Sequence, residues 1–336
     1  MSDRGSGLKR YERLLERDAM PLYLAAKRVP VYYTGEEGVE ALLGANRAGV
    51  RRLMESADEL SAAAESSPNL IDLKREIASQ ILRSCRLCER RCGVDRTAGV
   101  CGHCRVLEAK IASEFVHLGE EPELVPSYTI FFAGCTFNCI YCQNWDISQD
   151  PDAGVAVHPE RVASWIRRRE GTVRNVNWVG GDPTSNLHFI LDVLVRCTSP
   201  LPQVWNSNMY LSLEGMALLA GVMDVYLADL KYGNDDCAVE LSNAPQYWET
   251  VTRNIMIGAE TGDLLIRHLV LPGHLDCCSM PVLEWIAAHV PHAKVNVMAQ
   301  YRPAYRASGK IARRPTMEEI SAVRNRAHGL GLDLTY

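Results

Sequence analysis

The sequence predicts an α/β fold built on a parallel sheet. Beyond about residue 125, short β-rich apolar runs alternate with amphipathic segments of helix length. Six such units in succession imply parallel strands joined by right-handed crossovers. At 336 residues, 47% hydrophobic and 23% charged, the chain can bury a large core, and one α/β barrel commonly takes this length.

The elements follow in order. Residues 1 to about 80 read as helical, because Tyr11, Leu14 and Leu15, then Val39 to Leu60, then Leu70 to Leu82 repeat apolar groups every three or four positions. From Cys85 to Cys104 the chain reads CRLCERRCGVDRTAGVCGHC, too poor in apolar residues for a core of its own, so metal would supply the stability. The expected strands are Tyr128 to Ala133, Asn175 to Val179, Gln203 to Trp205, Met223 to Ala228, Leu264 to Leu271 and Lys294 to Met298. Expected helices are Pro159 to Arg169, Leu187 to Cys197, Leu211 to Gly221, Tyr247 to Ile257, Pro281 to Val290 and Met317 to Leu330. This divides the chain into a helical N-terminal extension (1–84), a Cys-rich metal-binding segment (85–124) and a barrel (125–336).

Composition narrows the function. No apolar run approaches the roughly 18 residues of a membrane span, which argues against a membrane protein. The opening MSDRGSGLKRYERLLERD lacks the apolar stretch of a secretory signal. A cytoplasmic location is therefore expected, where thiols stay reduced and serve metals or redox chemistry. The net charge of -5 argues against nucleic acid as a partner, with Arg167-Arg168-Arg169 read as a solvated helix face.

The chemistry gathers at strand ends, as in parallel sheets generally. The run TIFFAG leads into CTFNCIYCQNW, which places Cys135, Cys139 and Cys142 in the loop leaving the first parallel strand. Three thiolates hold three irons of a 4Fe-4S cube and leave the fourth open to another ligand. Zinc is the alternative, but it prefers four protein ligands with CxxC pairs. The second strand ends in Gly180-Gly181-Asp182-Pro183, where glycines allow backbone to approach a ligand closely.

A second block, Cys85, Cys88, Cys92, Cys101 and Cys104, reads C-x2-C-x3-C-x8-C-x2-C. Its two CxxC pairs, Cys85 with Cys88 and Cys101 with Cys104, suit a structural zinc, with an auxiliary iron-sulfur cluster as the rival. Cys92 is left unassigned and His103 is read as a surface residue. Cys197 is expected in the core. Cys237, Cys277 and Cys278 show no ligand spacing, and adjacent Cys277 and Cys278 are not expected to face one metal. The histidines form no HxxxH or HxH pattern, so no mononuclear site is expected from them. No GxxxxGK phosphate loop and no DxHxxG cobalamin motif occurs.

The CxxxCxxC triad, with Tyr141 just before its last Cys, resembles the signature of the radical S-adenosylmethionine superfamily. That resemblance implies a partial (β/α)6 barrel of the radical SAM type, a 4Fe-4S cluster on Cys135, Cys139 and Cys142, and S-adenosylmethionine on the open iron. It implies reductive cleavage to a 5′-deoxyadenosyl radical and hydrogen abstraction from a substrate. Gly180-Gly181-Asp182-Pro183 resembles the Gly-Gly-Glu-Pro motif that meets the methionine amino group, with Asp in place of Glu.

Within the superfamily, the chain resembles the pyruvate formate-lyase activating enzyme-like proteins. CQNWDIS resembles the segment in which an Asn, here Asn144, contacts the cofactor. YLADLKYG resembles the Asp-Leu-Lys segment, giving Asp229 and Lys231, and IRHLVLPGH the Arg…Val-Pro-Gly strand, giving Arg267 and Pro272-Gly273. QYRPAYRA supplies Arg302, a carboxylate or phosphate ligand or a salt-bridge partner, and Tyr305. Asn206-Ser207-Asn208 stands where activating enzymes often carry Asp-Thr-Asn beside a monovalent cation, and Gln300-Tyr301-Arg302 replaces a common Pro-Tyr-His. The resemblance implies a protein or peptide substrate and an electron donor such as flavodoxin or ferredoxin. Its foremost activity is activation of a glycyl radical enzyme. The alternatives are another radical peptide modification, such as C-methylation assisted by cobalamin, and a non-catalytic metal-binding scaffold.

Overall fold

The computed structural model describes residues 7–57 and 59–335. The first six residues of the opening segment, read above for a secretory signal, lie outside the described residues.

The strands are β1 (Lys110–His117), β2 (Ser127–Phe132), β3 (Val155–Ala156), β4 (Asn175–Gly180), β5 (Gln203–Ser207), β6 (Val225–Asp229), β7 (Asp263–Leu269), β8 (Lys294–Met298) and β9 (Asp333–Thr335). They form one sheet in the order β3-β1-β2-β4-β5-β6-β7-β8-β9. Neighbours from β2 through β9 are parallel, while β1 runs antiparallel to both β2 and β3. Each of the six expected strands is present in the expected order. The sheet is mixed rather than wholly parallel, because the reading assigned residues 110–117 to the metal-binding segment. That stretch, KIASEFVH, is only half buried, and its weak alternation beside a Cys-rich block hid a strand.

The helices are α1 (Lys9–Leu15), α2 (Leu22–Ala26), α3 (Val39–Ser56), α4 (Leu70–Leu82), α5 (Trp145–Ser148), α6 (Pro159–Arg168), α7 (Leu187–Arg196), α8 (Leu213–Leu219), α9 (Asp235–Ser242), α10 (Tyr247–Thr261), α11 (Met280–His289) and α12 (Met317–Gly329). An Asn69–Asp72 capping box starts α4, and its buried stripe of Leu70, Ile71, Leu73, Ile77, Ala78 and Ile81 packs against α7 and α3. The N-terminal helices therefore share the core of the barrel. Polar bolts fix them to the strand starts. Asp224, fully buried, accepts from Leu22 N at 2.9 Å and Gln203 N at 2.8 Å, and Asp263 accepts from Tyr11 N at 2.6 Å.

The loop between β1 and β2 lays two glutamates across the sheet. Glu120 accepts from Arg267 of β7 at 3.1 Å and from Asn177 of β4 at 3.4 Å, and Glu121 accepts from Asn296 of β8 at 2.9 Å. These contacts form the floor beneath the strand C-termini.

Candidate functional site

The strand C-termini enclose a cleft of 250 Å³. Its lining includes Cys135, Cys139, Cys142, Asn144, Gly180, Gly181, Asp182, Asn206, Ser207, Asp229, Lys231 and Arg267. The fold thus brings together residues from the ends of β2, β4, β5, β6 and β7. A larger open groove of 1050 Å³ lies beside the strand starts, among Arg13, Arg17, Glu170, Arg174 and Pro202, and contains none of the candidate residues.

The triad loop is held from both sides. Gly134 N donates to Ile147 O at 2.8 Å, Asn138 N to Ser242 O at 3.0 Å and Ile140 N to Leu241 O at 2.9 Å. The last two contacts tie the loop to the end of α9. Each thiol has a nearby hydrogen-bonding group. Phe137 N donates to Cys135 Sγ at 3.3 Å, Ser242 Oγ donates to Cys139 Sγ at 2.8 Å, and Ser148 Oγ lies 3.2 Å from Cys142 Sγ. Behind Ser242, Tyr232 OH lies 2.5 Å from its hydroxyl and 2.6 Å from Tyr141 OH. Burial pushes the Cys139 thiol up to about 11, with Lys231 and the Ser242 hydroxyl pulling the other way. A cation at this position would reverse that cost.

The Gly-Gly-Asp-Pro turn is built for packing. A Cβ on Gly180, which has φ +144°, would lie 2.2 Å from Phe132 O, and one on Gly181 would lie 2.3 Å from Gly134 O. Close approach of two strand ends therefore already demands both glycines. Asp182 is buried and spends both oxygens on backbone, accepting from Thr184 N at 2.9 Å and Asn208 N at 3.0 Å. Pro183 opens the short 3-10 segment Pro183–Asn186 and is buried. Asn208 Nδ2 in turn donates to Thr136 Oγ1 at 2.9 Å, so the loops after β2, β4 and β5 form one unit.

A charged group crosses the floor. Arg267 pairs with Asp229 at 2.9 Å and Glu120 at 3.1 Å and donates to Asn206 Oδ1, while Lys231 pairs with Asp229 at 2.6 Å. Burial would raise Asp229, but Arg267 and Lys231 hold its carboxyl below the usual range. The same pairing keeps Lys231 charged against its own burial. Glu120 was missed in the sequence, since its partners lie 57 and 147 positions away and no spacing signals them.

Neither Arg302 nor the Cys block lines the cleft. Arg302 is exposed and does not line the cleft; the segment after β8 packs along the triad loop, with buried Tyr301 edge-on to Tyr141, Arg306 N donating to Ile140 O at 2.8 Å and Tyr305 stacked on Trp145, ring centres 5.4 Å apart. In the Cys block, Cys101 is exposed, its thiol 3.7 Å from Arg105 O. Burial raises the Cys88 thiol, and Cys104, Cys85 and Cys92 raise it further. A tight turn returns residues 92–94 to Cys85, with Cys85 N donating to Val94 O at 2.9 Å and Gly93 N to Cys85 O at 3.0 Å, and His103 N donates to Cys92 Sγ at 3.3 Å. His103 is half buried. The block docks on the cleft's rim, with Arg90 donating to Thr136 O at 3.1 Å and buried Arg96 donating to Ser185 O at 3.1 Å.

One expectation is corrected among the later cysteines. Cys197 is buried in the core as expected. Cys237, His274, Cys277 and Cys278, however, bring their ligand atoms all within 4.8 Å of one another. Two separate turns meet there, a contact that no spacing along the chain records. Among the described residues no other group of His, Cys, Asp or Glu gathers so tightly.

A family model described as the Radical SAM superfamily matches residues 129–286. The uncharacterized protein MJ0674 of Methanocaldococcus jannaschii is 47% identical over 277 residues, covering 80% of this chain and 81% of that protein. Among solved structures, Streptococcus suis SuiB bound to S-adenosylmethionine aligns at 13% identity and a TM-score of 0.46, over 60% of this chain and 47% of SuiB. HydG, a maturase of the FeFe-hydrogenase, aligns at 13% identity and a TM-score of 0.45, over 97% of this chain and 66% of HydG. The chain therefore spans less than two thirds of the length of SuiB. Among the described residues no helix is long and apolar enough to cross a membrane. With the triad at the end of β2, the Gly-Gly-Asp-Pro turn beside it and the superfamily model matching across both, the chain carries a Radical SAM superfamily domain over residues 129–286.

Proposed function

We propose that this protein abstracts hydrogen from a protein or peptide substrate, foremost to raise a glycyl radical on a partner enzyme. The observation that carries the reading is the convergence of three cysteine thiols from one loop on a cleft floored by Asp229, Lys231 and Arg267. Cys135, Cys139 and Cys142 are the residues that would hold three irons of a 4Fe-4S cluster, and their donor set suits it. When bound, the cluster with S-adenosylmethionine on its open iron supplies reductive cleavage to methionine and a 5′-deoxyadenosyl radical.

The chain's own residues prepare that chemistry. Phe137 N–H and the Ser242 hydroxyl donate to the sulfurs of Cys135 and Cys139, which lowers the cost of thiolate charge in a buried site. The Lys231 ammonium adds a fixed cation beside Cys139. Gly180 and Gly181 leave backbone bare at the cleft wall, open to the polar end of an amino acid cofactor. Asn144 and Ser207 add neutral polar groups, and Asn206 is oriented by Arg267.

Asp-Leu-Lys and Leu-Pro-Gly support the glycyl radical reading by resemblance. A different radical modification of a peptide is the second reading, favoured by a specific observation. Asp182 already spends both oxygens on backbone N–H groups, and Asn206-Ser207-Asn208 brings no carboxylate for a monovalent cation. An electron donor of the flavodoxin or ferredoxin kind would serve either reaction, and Cys85, Cys88, Cys92 and Cys104 would hold a second metal at the rim.

The test is anaerobic reconstitution with iron and sulfide, then dithionite and S-adenosylmethionine. We expect 5′-deoxyadenosine from the wild type and none from Cys135→Ala, Cys139→Ala or Cys142→Ala. Absence of the nucleoside from wild-type protein with an intact cluster overturns the proposal. Deuterium passing from a deuterated glycine residue into the nucleoside distinguishes glycyl activation from the other modifications.

A further inference from the structure

We propose that Cys237, His274, Cys277 and Cys278 form a mononuclear, zinc-type metal site, separate from both the triad and the N-terminal Cys block. The geometry points to a single ion. With Zn–S of about 2.3 Å and Zn–N of about 2.0 Å, tetrahedral ligands stand about 3.8 Å apart for S···S and about 3.5 Å for S···N. The structure has Cys237 Sγ–Cys277 Sγ at 3.7 Å, Cys237 Sγ–His274 Nδ1 at 3.6 Å and Cys277 Sγ–His274 Nδ1 at 3.5 Å. Cys278 closes the group, all four ligand atoms lying within 4.8 Å of one another.

Three thiolates and an imidazole select a soft or borderline ion such as zinc over magnesium or calcium. Binding releases the three thiol protons to solvent. Four protein ligands leave no open position, which is the pattern of a structural rather than a catalytic ion. A disulfide is not formed here, since bonded sulfurs stand at about 2.0 Å.

The surroundings are built to hold the two turns together. Asn234 Oδ1 accepts from Cys237 N at 2.8 Å and caps α9, while Asn234 Nδ2 donates to Cys277 O at 2.7 Å. Gly233 packs so close that a Cβ there would lie 2.7 Å from Cys277 O and 3.0 Å from Cys278 O. The site therefore clamps the turn after β6 to the turn after β7.

The clamp has a functional address. Cys237 lies in the first turn of α9, and Ser242 ends the same helix, about 7–8 Å further along at 1.5 Å per residue. Ser242 donates to Cys139, and the carbonyls of Leu241 and Ser242 hold the triad loop. An ion on Cys237 would fix the start of the helix whose end positions the cluster loop.

The test uses the full chain, reduced and with its cluster reconstituted, and measures zinc per chain by elemental analysis. Cys277→Ala removes an exposed ligand and is expected to fold, as far-ultraviolet circular dichroism would verify. We expect it to lose one zinc per chain, and Cys237→Ala to lose the same one, while Cys88→Ala retains it. Cobalt in place of zinc should give wild-type protein the intense visible bands of a tetrahedral thiolate site, diminished in Cys277→Ala. Zinc and cobalt binding unchanged in both folded variants overturns the proposal. A mass deficit of two hydrogens restored by reductant, with no metal bound, assigns Cys237 and Cys277 to a redox pair and overturns it as well. Neither result depends on cleavage of S-adenosylmethionine.

Discussion

Replacing Arg267 by Met tests the floor of the cleft. Arg267 has a side chain only 12% exposed and neutralises Asp229 and Glu120, which are 22% and 10% exposed, while donating to Asn206. Methionine keeps most of the volume but leaves two carboxylates facing Lys231 alone. Removing one partner from a buried ionic group costs about 3–5 kcal/mol, chiefly through the charge left behind. The unfolding entropy of 336 residues, at about 2.1 cal/mol/K per residue, is about 0.7 kcal/mol/K, so Tm should fall by about 4–7 °C. The assay is thermal unfolding of the apo protein by circular dichroism, with Arg313→Met as control. Arg313 pairs with Glu319 at the surface, its side chain 49% exposed, and such pairs contribute about 0–1 kcal/mol. Adding Glu120→Gln to Arg267→Met should restore part of the loss.

The pH dependence gives a sign to check. In the wild type Asp229 is held below its usual range, so its stabilisation is present above the unfolded carboxylate value, about 4, and is lost as pH falls through the lower folded value. Without Arg267, burial should leave the orphaned carboxylates above that value in the folded state. The deficit of Arg267→Met should then shrink as pH falls toward 4. A variant no less stable than Arg313→Met, or a deficit that grows in acid, refutes this account of the floor.

Two further outcomes follow from buried hydrogen bonds. Burial raises Asp224 to about 6, so the stability it confers is full below about 4 and is lost as pH rises through 6, an effect of about 3 kcal/mol. Urea unfolding of Asp224→Asn should show a flatter slope than wild type between pH 4 and 6, and an unchanged slope refutes the assignment. Ser242→Ala removes the hydroxyl 2.8 Å from Cys139. A hydrogen bond to a charged group contributes about 1.5–3 kcal/mol, and about a quarter of that, shared over four irons, lowers the midpoint potential by roughly 15–35 mV. Potentiometric titration followed by electron paramagnetic resonance checks it, and a positive shift or none sinks the idea.

The sequence by itself determined six parallel strands of the sheet, β2 and β4 to β8, and the chemistry-bearing loop. Runs such as TIFF and VNWVG must be buried on both sides, and the segments between them carry a helix-length apolar stripe, so strand order followed from chain order. Cys135, Cys139 and Cys142 were legible because all three ligands come from one loop, where spacing along the chain is spacing in the site. Gly180 and Gly181 were legible as well, although packing against Phe132 and Gly134 already requires them. Tertiary structure decided whatever depends on separate segments meeting. Glu120 reaches Arg267 across the sheet, Ser242 reaches Cys139 from the far end of α9, and a turn folds residues 92–94 back onto Cys85. Cys237 and the His274–Cys278 turn converge from 37 positions apart in the chain, because parallel strands deliver their C-terminal loops to one face however far apart those loops lie in sequence.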